Sequence, residues 1–183
     1  LECDGLTFAD LPRLADVATC DVICVPGGFG TFDAIHDSAL LDQIRRLAAG
    51  AQFVTSVCTG SIVLAAAGLL AGRRAACHWY WRDALARFPG VTVDAGRVVR
   101  DGHVITGGGV TAGLDLAIAV VAELAGEAQA RAIQLGLEYA PEPPFDGGRP
   151  ELATPETVDA VTGIFSARDA AVRERLDAFL AAG

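Results

Sequence analysis

At 183 residues and 18.9 kDa the chain fits one domain, long enough to bury most of its apolar surface in a single core. Its formal charge of −9 argues against nucleic acid as a partner, because binding phosphates needs clustered Lys and Arg to displace counterions. The apolar share is 52%, yet no uninterrupted apolar run approaches the roughly 20 residues that span a bilayer, so a membrane partner is not expected either.

The opening Leu1-Glu2-Cys3-Asp4-Gly5 is neither a signal peptide nor a tag, and the chain is expected to begin inside a longer protein. Five cysteines, an odd number, show no disulfide framework and no Cys-x-x-Cys metal spacing. A reducing cytoplasm is the expected compartment. Asp21-Val22-Ile23-Cys24-Val25 is an apolar run stopped by Pro26-Gly27-Gly28, as in a buried parallel strand that ends in a tight loop. Leu40, Leu41, Ile44 and Leu47 then recur at helical spacing, with Gly50 as the stop. Gln52 to Val57 is β-rich and leads into Cys58-Thr59-Gly60, followed by a helix from Ile62 to Leu70. Val98 to Arg100 and His103 to Ile105 flank Asp101-Gly102, a hairpin signal. Thr106-Gly107-Gly108-Gly109 opens a long apolar helix from about Thr111 to Leu124, and Glu127 to Tyr139 predicts another. Pro141, Pro143, Pro144 and Pro150 make a rigid crossing before a last helix, about Pro155 to Leu180, capped by Thr154. Strands alternating with helices define an α/β chain with a mainly parallel sheet covered on both faces.

In open α/β sheets ligands collect at the carboxyl ends of strands. Three loops end there: Pro26-Gly27-Gly28, Cys58-Thr59-Gly60 and Thr106-Gly107-Gly108-Gly109. A free cysteine is by default a small buried hydrophobe, and that reading suffices for Cys3, Cys20, Cys24 and Cys77. Cys58 differs, because a sharp turn, a helix start and a glycine coincide there, the arrangement that exposes a nucleophile. A helix N-terminus at its sulfur is expected to lower its pKa. Backbone N–H groups of Gly28 and Thr59 are candidate donors to a substrate atom, although Gly27 and Gly28 also suit a plain turn and Thr59 a helix cap. Thr59 is a second catalytic candidate, able to hydrogen-bond the thiolate or deliver a proton. Gly108 completes the substrate-binding candidates with His78 and Trp79, where a packed structural histidine is the competing reading. His36 and His103 read as solvated or structural, and histidines this scattered argue against a metal site.

These residues resemble the ThiJ/PfpI superfamily over nearly the whole chain. Val25-Pro26-Gly27-Gly28 is similar to its oxyanion loop, Ser56-Val57-Cys58-Thr59-Gly60-Ser61 to its nucleophile elbow, and Ala76-Cys77-His78-Trp79 falls where many members have Thr-Thr-His-Trp. The resemblance implies the fold of class I glutamine amidotransferases, a flavodoxin-like three-layer sandwich, and a homodimer. Within the superfamily, Glu138-Tyr139-Ala140-Pro141-Glu142-Pro143-Pro144-Phe145 is similar to the Glu-Tyr-Asp-Pro-x-Pro-Pro-Phe stretch of isonitrile hydratases. It implies hydration of a small uncharged isonitrile to an N-substituted formamide through a Cys58 thioimidate, with no cofactor. Ile105, Val110 and Trp79 are apolar neighbours that suit such a substrate.

Two departures stand out. Position 140 holds Ala in place of Asp, and the acid that members keep on an N-terminal strand–helix–strand unit, roughly 40 to 50 residues, is expected upstream of this single domain of residues 1–183. Glu2 and Asp4 are not substitutes for it. A glutaminase would need a histidine after His103, and a PfpI-type protease a histidine at Thr59. The remaining alternatives are the ligand-sensing domain of an AraC-type regulator and a glyoxalase or deglycase-type stress protein.

Overall fold

The computed structural model describes residues 2–3, 6–7 and 9–182, with the side chains of Glu2, Cys3, Leu6 and Arg168 outside that description. The expectations for Glu2, Asp4 and Cys3 therefore fall outside the described residues. In chain order the strands are β1 (Glu2–Cys3), β2 (Leu6–Thr7), β3 (Val22–Val25), β4 (Phe53–Val57), β5 (Arg74–Ala75), β6 (Thr92–Val93), β7 (Val98–Asp101) and β8 (Val104–Gly107). The helices are α1 (Thr31–Ala34), α2 (Ser38–Ala48), α3 (Gly60–Ala66), α4 (Arg82–Leu85), α5 (Ala112–Ala125), α6 (Glu127–Gly136) and α7 (Pro155–Ala182). None of the described helices is long and apolar enough to cross a membrane.

The main sheet has the order β3-β4-β8-β7. Strand β4 is paired in parallel on both sides, and β7 closes the sheet as the antiparallel arm of a hairpin. Alternation along the strands sorts side chains to two faces. Val54 and Val104 enter a large cluster with α2, α3 and α7 residues such as Leu41, Ile62 and Leu176. Their neighbours Phe53 and Ile105 point the other way, against Leu116 and Val120 of α5. At about 25 cal/mol per Å2 of apolar area, each such buried aliphatic contributes about 2 kcal/mol relative to exposure.

The element boundaries follow local chemistry. Asp37 caps α2 by accepting the Leu40 N–H at 2.9 Å, and Leu41, Ile44 and Leu47 form its buried stripe. In α3 every residue from Gly60 to Ala66 is buried, as for a helix apolar all round. Thr154 Oγ1 accepts the Thr157 N–H at 3.3 Å, the expected start of α7. Four expectations need correction, the first being the helix expected to run to Leu70, which ends at Ala66. The hairpin turn is Gly102-His103, because Asp101 pairs with Val104 and the φ of +64° falls on Gly102. The helix expected to reach Tyr139 ends at Gly136, and Glu138 turns the chain at φ +50°. Cys24 is exposed, since β3 is the outer strand of the sheet among the described residues.

Candidate active site

The three loops expected to share a crevice do meet. Cys58 follows the last residue of β4 and takes φ +60°, a left-handed conformation that costs a residue with a side chain about 1–3 kcal/mol unless its surroundings impose it. They do so here. The Cys58 N–H donates to the carbonyls of Gly107, the last residue of β8, at 3.0 Å and of Gly108 at 2.7 Å. On the other side, a Cβ at Gly60 would lie 2.1 Å from the Val25 carbonyl oxygen, and one at Gly27 would lie 2.6 Å from the Cys58 Cβ. Both glycines exist to let backbones touch.

Thr59 is buried and does not cap α3 with its side chain. Its hydroxyl accepts the Gly28 N–H at 2.9 Å and lies 3.0 Å from the Gly28 carbonyl, to which it can donate. This corrects the expectation for Gly28, whose amide is occupied by Thr59 and is not a spare donor for substrate. The Gly108 N–H donates to the Arg97 carbonyl at 2.9 Å and its own carbonyl holds Cys58. Gly27, Gly28 and Gly108 therefore shape and brace the elbow.

The Cys58 thiol is half-buried, and burial pushes its pKa above the ordinary cysteine range, while the amide and hydroxyl of Thr59 pull it down. The lowered pKa expected from the helix start is thus not the net result, because loss of hydration outweighs those two donors. Cys77 is buried deeper, and desolvation drives it up to about 12 despite a hydrogen bond with Ser61. Ser61, which sequence reasoning gave no role, also donates to the Cys58 carbonyl at 3.2 Å and so links the two cysteine segments.

His78 and Trp79 follow Cys77 and line a cleft of about 690 Å3 together with Gly108, Gly109, Val110 and Phe145. Burial, with help from Arg82, lowers the His78 pKa, so the ring is neutral at pH 7. Its Nδ1 accepts the Tyr80 N–H at 3.3 Å, leaving Nε2 as the protonated nitrogen. Val110 faces this cleft and is 79% exposed, whereas Ile105 is 1% exposed inside the core and is removed from the substrate wall. His36 is structural, its Nε2 lying 3.0 Å from the Arg175 carbonyl.

The proline-rich segment is the second wall. Pro143 and Phe145 line the same cleft as Gly108 and Gly109. Tyr139 at its root donates to Asp115 Oδ2 at 3.2 Å, and Arg97 Nε donates to the same oxygen at 2.5 Å. Since the Arg97 carbonyl also receives the Gly108 N–H, one chain of bonds runs from Tyr139 to the elbow. Arg97 and Asp115 carried no signal in the sequence, because only the fold brings β7 and α5 to Tyr139.

A strand ending in a cysteine at positive φ, braced by two glycine loops, defines an elbow-bearing α/β protein. The chain belongs to the DJ-1/PfpI family, whose model matches residues 7–123. It is 52% identical over 155 residues to isonitrile hydratase from Pseudomonas putida, covering 85% of this chain and 68% of that protein. Over 127 residues it is 37% identical to the HTH-type transcriptional regulator CdhR of Pseudomonas aeruginosa, covering 69% of this chain and 38% of the regulator. Among solved structures, a THiJ/PfpI family protein from Pseudomonas syringae superposes with a TM-score of 0.82 at 40% identity, covering 91% of this chain and 68% of that one.

Proposed function

We propose that this chain carries the reactive cysteine of an isonitrile hydratase. The observation that carries the reading is the 52% identity to the Pseudomonas putida hydratase over 85% of the chain, against 37% over 69% for the regulator. The cleft beside the elbow is of mixed polarity, with Arg82, Arg97 and Arg149 in its lining, and Phe145, Trp79 and Val110 supply the apolar surface that a small uncharged ligand would use.

In this reading the sulfur of Cys58 bonds to the terminal carbon of R–N≡C, and a proton ends on the same carbon, giving the thioimidate R–N=CH–S–Cys58. Water then adds to that carbon and the C–S bond breaks, which returns the thiol and releases R–NH–CHO. The addition consumes one S and one H together. A cysteine held protonated by burial supplies both, and in this reading the hydroxyl of the next residue, Thr59, which is bonded to Gly28, relays the proton.

The test is to give the full-length protein phenyl isonitrile and follow N-phenylformamide by NMR, with Cys58→Ser in parallel. Formamide from the wild type and none from the variant is the expected result. Silence from the wild type, or undiminished turnover by Cys58→Ser, would overturn the proposal.

A further inference from the structure

The elbow is flanked by two aromatic segments that the reaction scheme leaves without a task. Phe29 follows Gly28, whose backbone is bonded to Thr59. His78, Trp79 and Tyr80 follow Cys77, which shares Ser61 with Cys58. Both segments are therefore tied through a neighbouring residue to the elbow that carries the nucleophile. One side chain from far along the chain spans them: Phe165 of α7 lies 6.4 Å from Phe29, 5.4 Å edge-on from His78, 6.4 Å from Trp79 and 4.9 Å from Tyr80, measured between ring centroids.

These separations are those of favourable aromatic pairs. If α7 needed only an anchor, its aliphatic residues would serve, as Val172 and Leu176 do in the core further along the same helix. At Phe165 the helix instead places a half-buried ring between the segment that follows Gly28 and the segment that follows Cys77. A flat hydrophobic substituent bound to Cys58 would meet ring faces and edges there, whereas a short alkyl chain would meet few of them.

We propose that Phe165 is a specificity-determining residue, with Phe29 and His78 forming an aromatic roof over Cys58 that favours isonitriles whose R group is a planar ring. The proposal rests on the function proposed above. It assigns α7 a part in choosing the substrate and none in the chemistry.

The experiment compares full-length wild type with Phe165→Ala and Phe165→Tyr on phenyl isonitrile and on ethyl isonitrile. Phe165→Ala should raise KM for the phenyl substrate by roughly three- to tenfold, the size of one lost aromatic contact. It should leave kcat and the ethyl KM within about twofold, and Phe165→Tyr should behave as wild type. Equal losses on both substrates, or no change on either, would overturn the proposal. In the same samples, peptide-resolved alkylation of Cys58 by benzyl bromide and by iodoacetamide gives a readout independent of hydration. If no isonitrile turns over but Phe165→Ala still erases a preference for the benzyl reagent, the roof stands and only the assigned reaction falls.

Discussion

The carbonyl of Gly108 receives the backbone N–H of Cys58 at 2.7 Å, so the loop beyond β8 fixes the direction in which the nucleophile leaves β4. A residue at φ +60° keeps that conformation only while such constraints hold. The glycines behind the elbow are constraints of the same kind, and their replacement separates fold from reactivity.

A methyl at position 27 would sit 2.6 Å from the Cys58 Cβ, and one at position 60 would sit 2.1 Å from the Val25 carbonyl oxygen. Gly60→Ala pushes the start of α3 away from the end of β3 and should cost at least about 3 kcal/mol, read as a lower urea midpoint or as insoluble protein. Gly27→Ala meets the nucleophile itself. It should lower the Cys58 alkylation rate at least about tenfold with a smaller loss of stability, of about 1–3 kcal/mol. A Gly27→Ala protein with normal Cys58 reactivity would contradict this packing.

Thr59 holds Gly28 through two hydrogen bonds and also faces the sulfur. Thr59→Val keeps the shape and leaves the Gly28 N–H unpaired, at a cost of about 1–3 kcal/mol. It also removes a donor that favours the thiolate, so the midpoint of Cys58 alkylation against pH should move further up. Thr59→Ser should restore both properties, and a shift in the acidic direction for the valine variant would count against the assignment.

Cys77 gives a pH signature of stability. Its folded pKa is raised to about 12, so the folded state favours the thiol, and the associated stability is present below the unfolded value of about 8.5 and is lost as pH rises toward 12. In urea titrations at pH 7, 9 and 10, wild type should lose stability relative to Cys77→Ala at up to about 1.4 kcal/mol per pH unit above pH 9. Parallel curves for the two proteins would show that Cys77 ionises freely.

Tyr139 and Arg97 meet on one oxygen of Asp115. Tyr139→Phe removes only the outer bond and should destabilise by about 1 kcal/mol. Asp115→Asn weakens the hold on Arg97 and with it the brace on Gly108, so it should reduce turnover as well, and more than Tyr139→Phe does. Equal kinetics for the two variants would mean that Tyr139 acts on its own.

How much of this was legible in the sequence depended on distance along the chain. The elbow showed itself because Val57-Cys58-Thr59-Gly60 is local, with strand, turn and helix start adjoining in sequence. Cys24 was misread as enclosed because a run of apolar residues does not say whether its strand has a neighbour on each side. Ile105 was placed near the substrate by its proximity to Gly108, although alternation along β8 sends its side chain into the core. The pKa direction of Cys58 was missed because a helix start can be read from residues but the removal of water cannot. Phe165 gave no signal at all, standing in a helix whose apolar residues follow no single clear stripe.

The central position of β4 reaches into how this chain could be reused. Its partners β3 and β8 are drawn from well before and well after it, and the loops at their ends pack around the elbow that carries Cys58. Grafting Val57 to Ser61 onto another strand–helix junction would therefore transfer an ordinary cysteine. What must travel with it is the pair of glycine loops, so the smallest portable unit is the stretch from β3 to the start of α5.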